Sequence, residues 1–216
     1  MGIIEDSISY IRETYPEVLI SDEKDYIVFE GRFVIEAEHD DFKIHIAPRL
    51  RIRFPKNYPQ EFPITFDVDN KITYDHKFTD GKLCLATEID IIANLRYSKN
   101  ISDYIEKFLI PYFISFEYWK ETGIDIFGDR SHGIEGIFES LKEFLELPKA
   151  TNDELYFLLC WAAKINKFER AANNKIEQSE LKSRYSIKIA KLRKLGIHFL
   201  KKQIKLIDSM YFPQNI

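Results

Sequence analysis

An α+β fold with a helical carboxyl-terminal extension is the class this 216-residue chain predicts, and three features point to it. Apolar residues near the start recur at helical spacing. From residue 26 to 68 the chain is dense in β-branched and aromatic residues with a period of two. From about residue 100 the period becomes 3.6. Strands grouped first and helices grouped after, without strict alternation, are the pattern of an α+β domain. The length allows one or at most two domains, expected at 1–148 and, as a helical extension packed on the first, 149–216.

Ile4, Ile8, Ile11 and Tyr15 share one helical face, and Pro16 stops the pattern, so a short amphipathic helix opens the chain. Residues 26–37 (YIVFEGRFVIEA) and 42–54 (FKIHIAPRLRIRF) read as an antiparallel pair turned at 39–41, with Pro48 marking an edge or a bulge. Thr65-Phe66-Asp67-Val68 adds a further short strand, giving a four-stranded antiparallel meander. Beyond it, Ile101, Ile105, Phe108, Leu109, Tyr112, Phe113 and Phe116 line a helix that Pro111 must kink or divide. Ile134 through Leu145 forms another. Asn152-Asp153-Glu154 offers a cap and first-turn charge for a helix through Ala162. The last pattern, Leu181 to Ile207, reads as one long basic helix.

Composition narrows the partners. With 45% hydrophobic and 31% charged residues the chain is ordinary globular protein and not disordered. Thirty-one Lys and Arg against 35 Asp and Glu leave no basic excess, so nucleic acid is not an expected partner. Cys84 and Cys160 are too few for a disulfide framework, and neither has the CxxC partner that a zinc or redox site needs. The first residues carry acids where a signal peptide carries positive charge, and Asp6 stands where a myristoylation motif after Gly2 wants Ser or Thr. No stretch is apolar for the length of a membrane span. A cytoplasmic protein without membrane contact is the expectation.

The chemistry concentrates in two neighbouring segments. Residues 54–66, FPKNYPQEFPITF, place prolines at 55, 59 and 63, which forbids regular helix and gives a pinned, extended connection anchored by Tyr58 and Phe62. Residues 72–88, ITYDHKFTDGKLCLATE, then set a turn at Asp80-Gly81 and a cysteine just after it. A thiol following a turn, with His76 upstream, fits a partly exposed nucleophile. On local chemistry alone Leu-Cys-Leu more often means core packing, because free cysteine is among the most buried residue types. Cys160, within LLCWAA, reads as core.

FPKNYPQEFPITF, then His76, then DGKLCLAT, resembles the ubiquitin-conjugating enzyme family, whose members carry a YP-x-x-x-P strand connection, a histidine, and G-x-[IL]-C-L around the thioester cysteine. The resemblance spans about residues 1–145 in the family's element order. It implies that Cys84 carries a ubiquitin-like modifier as a thioester, without cofactor or metal. Two departures stand out. Of the family's His-Pro-Asn triplet only His76 is recognisable, followed by Lys77, and the tryptophan usual shortly after the cysteine is missing from EIDIIANLRY. Instead Trp119 begins WKETGIDIFGDRSHGIEGIFE, a run similar to bacterial relatives encoded beside cyclic-oligonucleotide synthases in antiphage defence operons. The implied partner is then a ubiquitin-like protein or the carboxyl terminus of such a synthase. No glycine-rich nucleotide loop is present, so an activating enzyme would be a separate chain.

Transthiolation needs a donor near the tetrahedral oxygen, a role His76 or nearby backbone amides fill in place of the missing Asn; the plainer alternative is that His76 only bonds its own loop. His132 in SHGIEG is a second candidate, as a base for the attacking amine or as part of a helix cap in which Ser131 takes part, with Gly133 and Gly136 allowing close backbone approach. Asp80 and Asp129 fit turn and loop roles. The basic face of Lys188, Lys191, Arg193, Lys194, Lys201, Lys202 and Lys205 is either solvated or docks an acidic partner. Two rivals to a transferase remain: a binding module of the same fold, and a cysteine hydrolase drawing on His132 as its base.

Overall fold

The computed structural model describes residues 2–98, 100–127, 131, 133–165 and 182–211. The architecture is mixed α+β: an amino-terminal helix, a four-stranded antiparallel sheet, and several helices. By its contacts the chain divides into two compact units, Met1–Asp129 and Arg130–Ile216. That division falls before the helix Gly133–Leu145, where the sequence suggested a boundary at 148/149.

The first unit opens with α1 (Ile3–Thr14), whose Ile11 is fully buried while Ile4 and Ile8 pack at the edge of the same core. Six strands follow: β1 (Leu19–Asp22), β2 (Tyr26–Arg32), β3 (Ile35–His39), β4 (Phe42–Ile46), β5 (Arg49–Pro55) and β6 (Ile64–Asp67). The main sheet has the order β1-β2-β5-β6, and β3 with β4 forms a separate two-stranded sheet. The expected meander is therefore interrupted. Residues 26–37 and 42–54 do pair around the turn at Asp40, but each run is broken in two. Pro48 lies at the break, outside either strand, and its carbonyl accepts the Phe33 N–H at 3.0 Å. Strand β1, which the sequence reading lacked, pairs with β2 from Leu19↔Glu30 to Asp22↔Ile27.

Alternation sets which face is buried. Ile27, Phe29, Leu50, Ile52, Phe54, Thr65 and Asp67 share one side of the main sheet and are all buried. Against that face lie α1 and the helical run α3 (Ser102–Tyr104), a π-helical turn (Ile105–Leu109) and α4 (Ile110–Thr122). Thr65 Oγ1 and the Tyr104 hydroxyl meet at 2.8 Å across this interface. The Ser7 hydroxyl donates to Ile3 O at 2.7 Å and accepts the Ile101 N–H at 3.0 Å, tying α1 to the helical run. The interruption expected at Pro111 takes the form of the π turn: Ile110 N–H bonds Ile105 O, and the donorless proline falls in the first turn of α4. Between sheet and helical run, α2 (Glu88–Leu95) is capped by Thr87, whose Oγ1 accepts the Asp90 N–H.

Among the described residues the second unit contains the helices α5 (Gly133–Leu145), α6 (Asn152–Ala162), α7 (Ser186–Arg193) and α8 (Ile197–Tyr211). Leu141, Leu145, Leu155, Leu159, Cys160, Leu192, Leu200 and Ile207 are fully buried, so Cys160 is core as read from the sequence. The cap of α6 is Thr151, one residue earlier than expected, in a reciprocal capping box with Glu154. The long basic pattern is two helices: Gly196 has φ 98°, a left-handed conformation that ends α7 before α8 begins. Leu181 lies outside the described residues. Among the described residues no helix is long and apolar enough to cross a membrane.

Candidate functional site

Cys84 sits on a β-ribbon that extends the main sheet. Phe78 N–H donates to Lys82 O at 2.8 Å and Cys84 N–H to His76 O at 2.7 Å, with a bridge between Lys77 and Leu83. The turn closes through Gly81 N–H to Phe78 O at 3.0 Å and Lys82 N–H to the Asp80 carboxylate at 3.0 Å. Gly81 has φ 83°, which a side chain there would resist. Asp80 thus has the turn role expected of it. The inner strand of the ribbon joins β6: Leu83 N–H donates to Thr65 O at 2.8 Å and Asp67 N–H to Gly81 O at 2.9 Å.

This register explains the short interval between His76 and Cys84. The two residues are opposed across a tight antiparallel ribbon, a position where side chains share a face with Cβ atoms about 4.5–5.5 Å apart. Leu83 and Lys77 take the other face. Leu83 enters the core, and Lys77 Nζ reaches the buried Asp67 carboxylate at 3.1 Å and Asn70 Oδ1 at 2.7 Å. On the Cys84 face, Lys82 Nζ lies 5.2 Å from the Phe78 ring centroid.

Cys84 is half-buried. Burial pushes its thiol above the ordinary value, and the nearby Lys82 cation opposes the rise. Folding therefore favours the protonated thiol of Cys84 over the thiolate. The Tyr112 hydroxyl of α4 donates to His76 O at 3.3 Å. Its own ionisation is pushed far up by burial and by Tyr74, Cys84 and Asp67, so it stays a donor.

His76 has a partner that sequence reasoning missed. Its Nε2 is 3.8 Å from Asp125 Oδ2, with side chains only 16% and 14% exposed. The same carboxylate accepts hydrogen bonds from the Tyr74 and Ser115 hydroxyls, which are themselves 3.2 Å apart. The Tyr74 ring packs on His76 at 4.8 Å and on Trp119 at 5.5 Å between centroids. Trp119 thus belongs to the aromatic wall behind His76. Gly123, left-handed at φ 73°, ends α4 and turns the chain so that Asp125 follows directly. No spacing along the chain signals this meeting, which depends on where α4 ends.

Of the candidate residues, Cys84 and His76 stand opposite one another in the backbone register of the ribbon. His132 and Asp129 lie outside the described residues. Ser131 donates from its backbone N–H and its hydroxyl to the Glu139 carboxylate at 3.1 and 2.7 Å. Backbone amides near His76 are poorer oxyanion donors than expected, because those of Cys84 and Phe78 are already bonded within the ribbon. Lys188 and Lys191, part of the basic face, pair with Glu146 at 3.4 and 2.9 Å. Among the described residues no cluster of His, Cys, Asp and Glu is arranged to hold a metal ion. Comparison with protein-family models, with curated proteins and with solved structures gave no match.

Proposed function

We propose that this chain is a ubiquitin-conjugating-like transferase. Cys84 accepts the carboxyl-terminal acyl group of a ubiquitin-like or partner protein as a thioester and passes it to an amine. The observation that carries this reading is a half-buried thiol on an edge ribbon, directly opposite a histidine. The element order is compatible with the family the motifs resemble: a first helix, an antiparallel sheet, the proline-rich connection, the cysteine ribbon, then helices. Thiol and thioester are both reactive, so exchange between them asks little of the protein beyond access and a proton acceptor. The run from Trp119 to Gly136 further suggests an antiphage setting, with a cyclic-oligonucleotide synthase as the acylated partner and a separate activating chain.

A second reading, a binding module of the same fold, draws support from the burial that keeps Cys84 protonated. One experiment separates the two. The chain is co-expressed with its neighbouring genes and analysed by intact-mass spectrometry, as wild type and as Cys84→Ser. The transferase reading expects an adduct that a thiol reductant removes from the wild type and that persists as an oxyester on the serine variant. No adduct on either, with a partner still co-purifying, makes the chain a binding module. Amide cleavage by the wild type alone makes it a hydrolase.

A further inference from the structure

The geometry points to Asp125 as the positioning residue of a Cys84–His76–Asp125 proton-transfer unit, orienting the His76 imidazole and stabilising its protonated form. The catalytic step below rests on the transferase reading of Cys84, whereas the unit itself can be tested without it. Three segments converge to hold this carboxylate: Tyr74 in the extended segment leading to His76, Ser115 in α4, and the turn after Gly123. With both oxygens engaged by hydroxyls, the carboxylate is fixed in rotation, and Oδ2 stands 3.8 Å from His76 Nε2. An anion removed from water in this way favours a cation beside it, and the imidazole is placed to become that cation. A carboxylate serving only to brace Tyr74 and Ser115 would have no need of the imidazole.

Titratable and polar groups from its own segment, from α4 and from the opposing side of the ribbon are placed near His76. They include Asp125, Tyr74 on its own segment, Tyr112 and Ser115 from α4, and Cys84 with Lys82 across the ribbon. Asp125 is the carboxylate the structure sets beside the ring. In the transfer step an amine nitrogen attacks the carbonyl carbon of the acyl group on Cys84. The C–N bond forms, the C–S bond breaks with its electron pair going to sulfur, and the nitrogen gives its proton to the imidazole. The imidazolium then returns that proton to the Cys84 thiolate. Thioester and amine become amide and thiol, and no co-reactant is consumed.

The test uses the full chain and iodoacetamide, with modification of Cys84 followed by peptide mass between about pH 5 and 10. The wild type is expected to show two ionisations, an imidazole limb below the thiol's own. His76→Gln removes the lower limb, a loss of about 10²-fold at neutral pH. Asp125→Asn moves that limb to lower pH and slows the reaction about tenfold, and Asp125→Glu restores part of the rate. All variants converge where the thiolate is fully formed. A purely structural Asp125 would leave the lower limb and the His76 imidazole titration, read by NMR, where they are in the wild type; that result overturns the proposal. So does a wild-type profile with the thiol ionisation alone. If Asp125→Asn does not fold, Tyr74→Phe and Ser115→Ala must each shift the limb in the same direction, and two unshifted profiles are equally fatal. A missing thioester with the lower limb intact refutes the transferase and leaves the unit standing; a thioester with a single ionisation does the reverse.

Discussion

Replacing Lys77 with Met should destabilise the first unit by leaving a buried carboxylate without its cation. Lys77 Nζ sits 3.1 Å from Asp67 Oδ2, and the two side chains are only 13% and 4% exposed. Removing one member of a buried pair leaves the other charge uncompensated, which costs about 3–5 kcal/mol. Asp67 keeps the Ile72 N–H at 2.8 Å, so the lower end, about 3 kcal/mol, is expected. That corresponds to a fall in Tm on the order of 10 °C. Of the two tryptophans, Trp119 lies in the first unit and Trp161 in the second, so a Trp161→Phe background makes urea unfolding by fluorescence specific to the first. The double variant Asp67→Asn with Lys77→Met removes the orphaned charge and should regain at least half the loss. A cost below about 1 kcal/mol for Lys77→Met, or a double variant no better than the single, would refute the account of a buried charge pair.

Three further outcomes follow from particular contacts. Ser7→Ala strips the acceptor from the buried Ile101 N–H and should cost about 1–3 kcal/mol in the same urea assay. Thr151→Ala breaks the capping box of α6 and should cost about 1 kcal/mol, read by Trp161 fluorescence in a Trp119→Phe background. The Cys84 thiol is raised above 9.0 by burial, so folding favours its protonated form. Its contribution to stability is complete below the unfolded thiol's value and fades as pH climbs through the folded one. The upper ionisation in alkylation should therefore lie higher in the native chain than in urea, and Lys82→Glu should raise it further. An equal midpoint in both states would contradict the burial seen at Cys84.

Much of the fold was legible because burial follows period. Leu50, Ile52 and Phe54 alternate into the core as the sequence alternates, and Ile11 and Tyr15 fall on the buried side of α1 and its end. What failed was local chemistry overriding pattern. The carbonyl of Pro48 bonds across the break that splits two long strands into four, and Gly196 divides a basic helix that looks continuous in projection. Strand β1 escaped notice because LISD is short and mostly exposed, so it carries almost no alternation. At the site, Cys84 and His76 were visible from the turn between them, whose Asp-Gly pair fixes the register. Asp125 was not, since its meeting with His76 depends on where α4 ends and not on any spacing along the chain.

Tyr74 and Asp125, which share a hydrogen bond, are 51 residues apart in sequence. The thiol and its facing imidazole, by contrast, belong to one small ribbon that closes through its own turn. During synthesis the ribbon would leave the ribosome long before the carboxylate does, and before α4 supplies the floor beneath it. A nascent chain would thus hold Cys84 and His76 before the residue that fixes the imidazole has been made, and the burial that raises the Cys84 thiol would come only with the completed first unit. The long-range bond thus makes the surroundings of this imidazole a product of late folding and not of the ribbon alone.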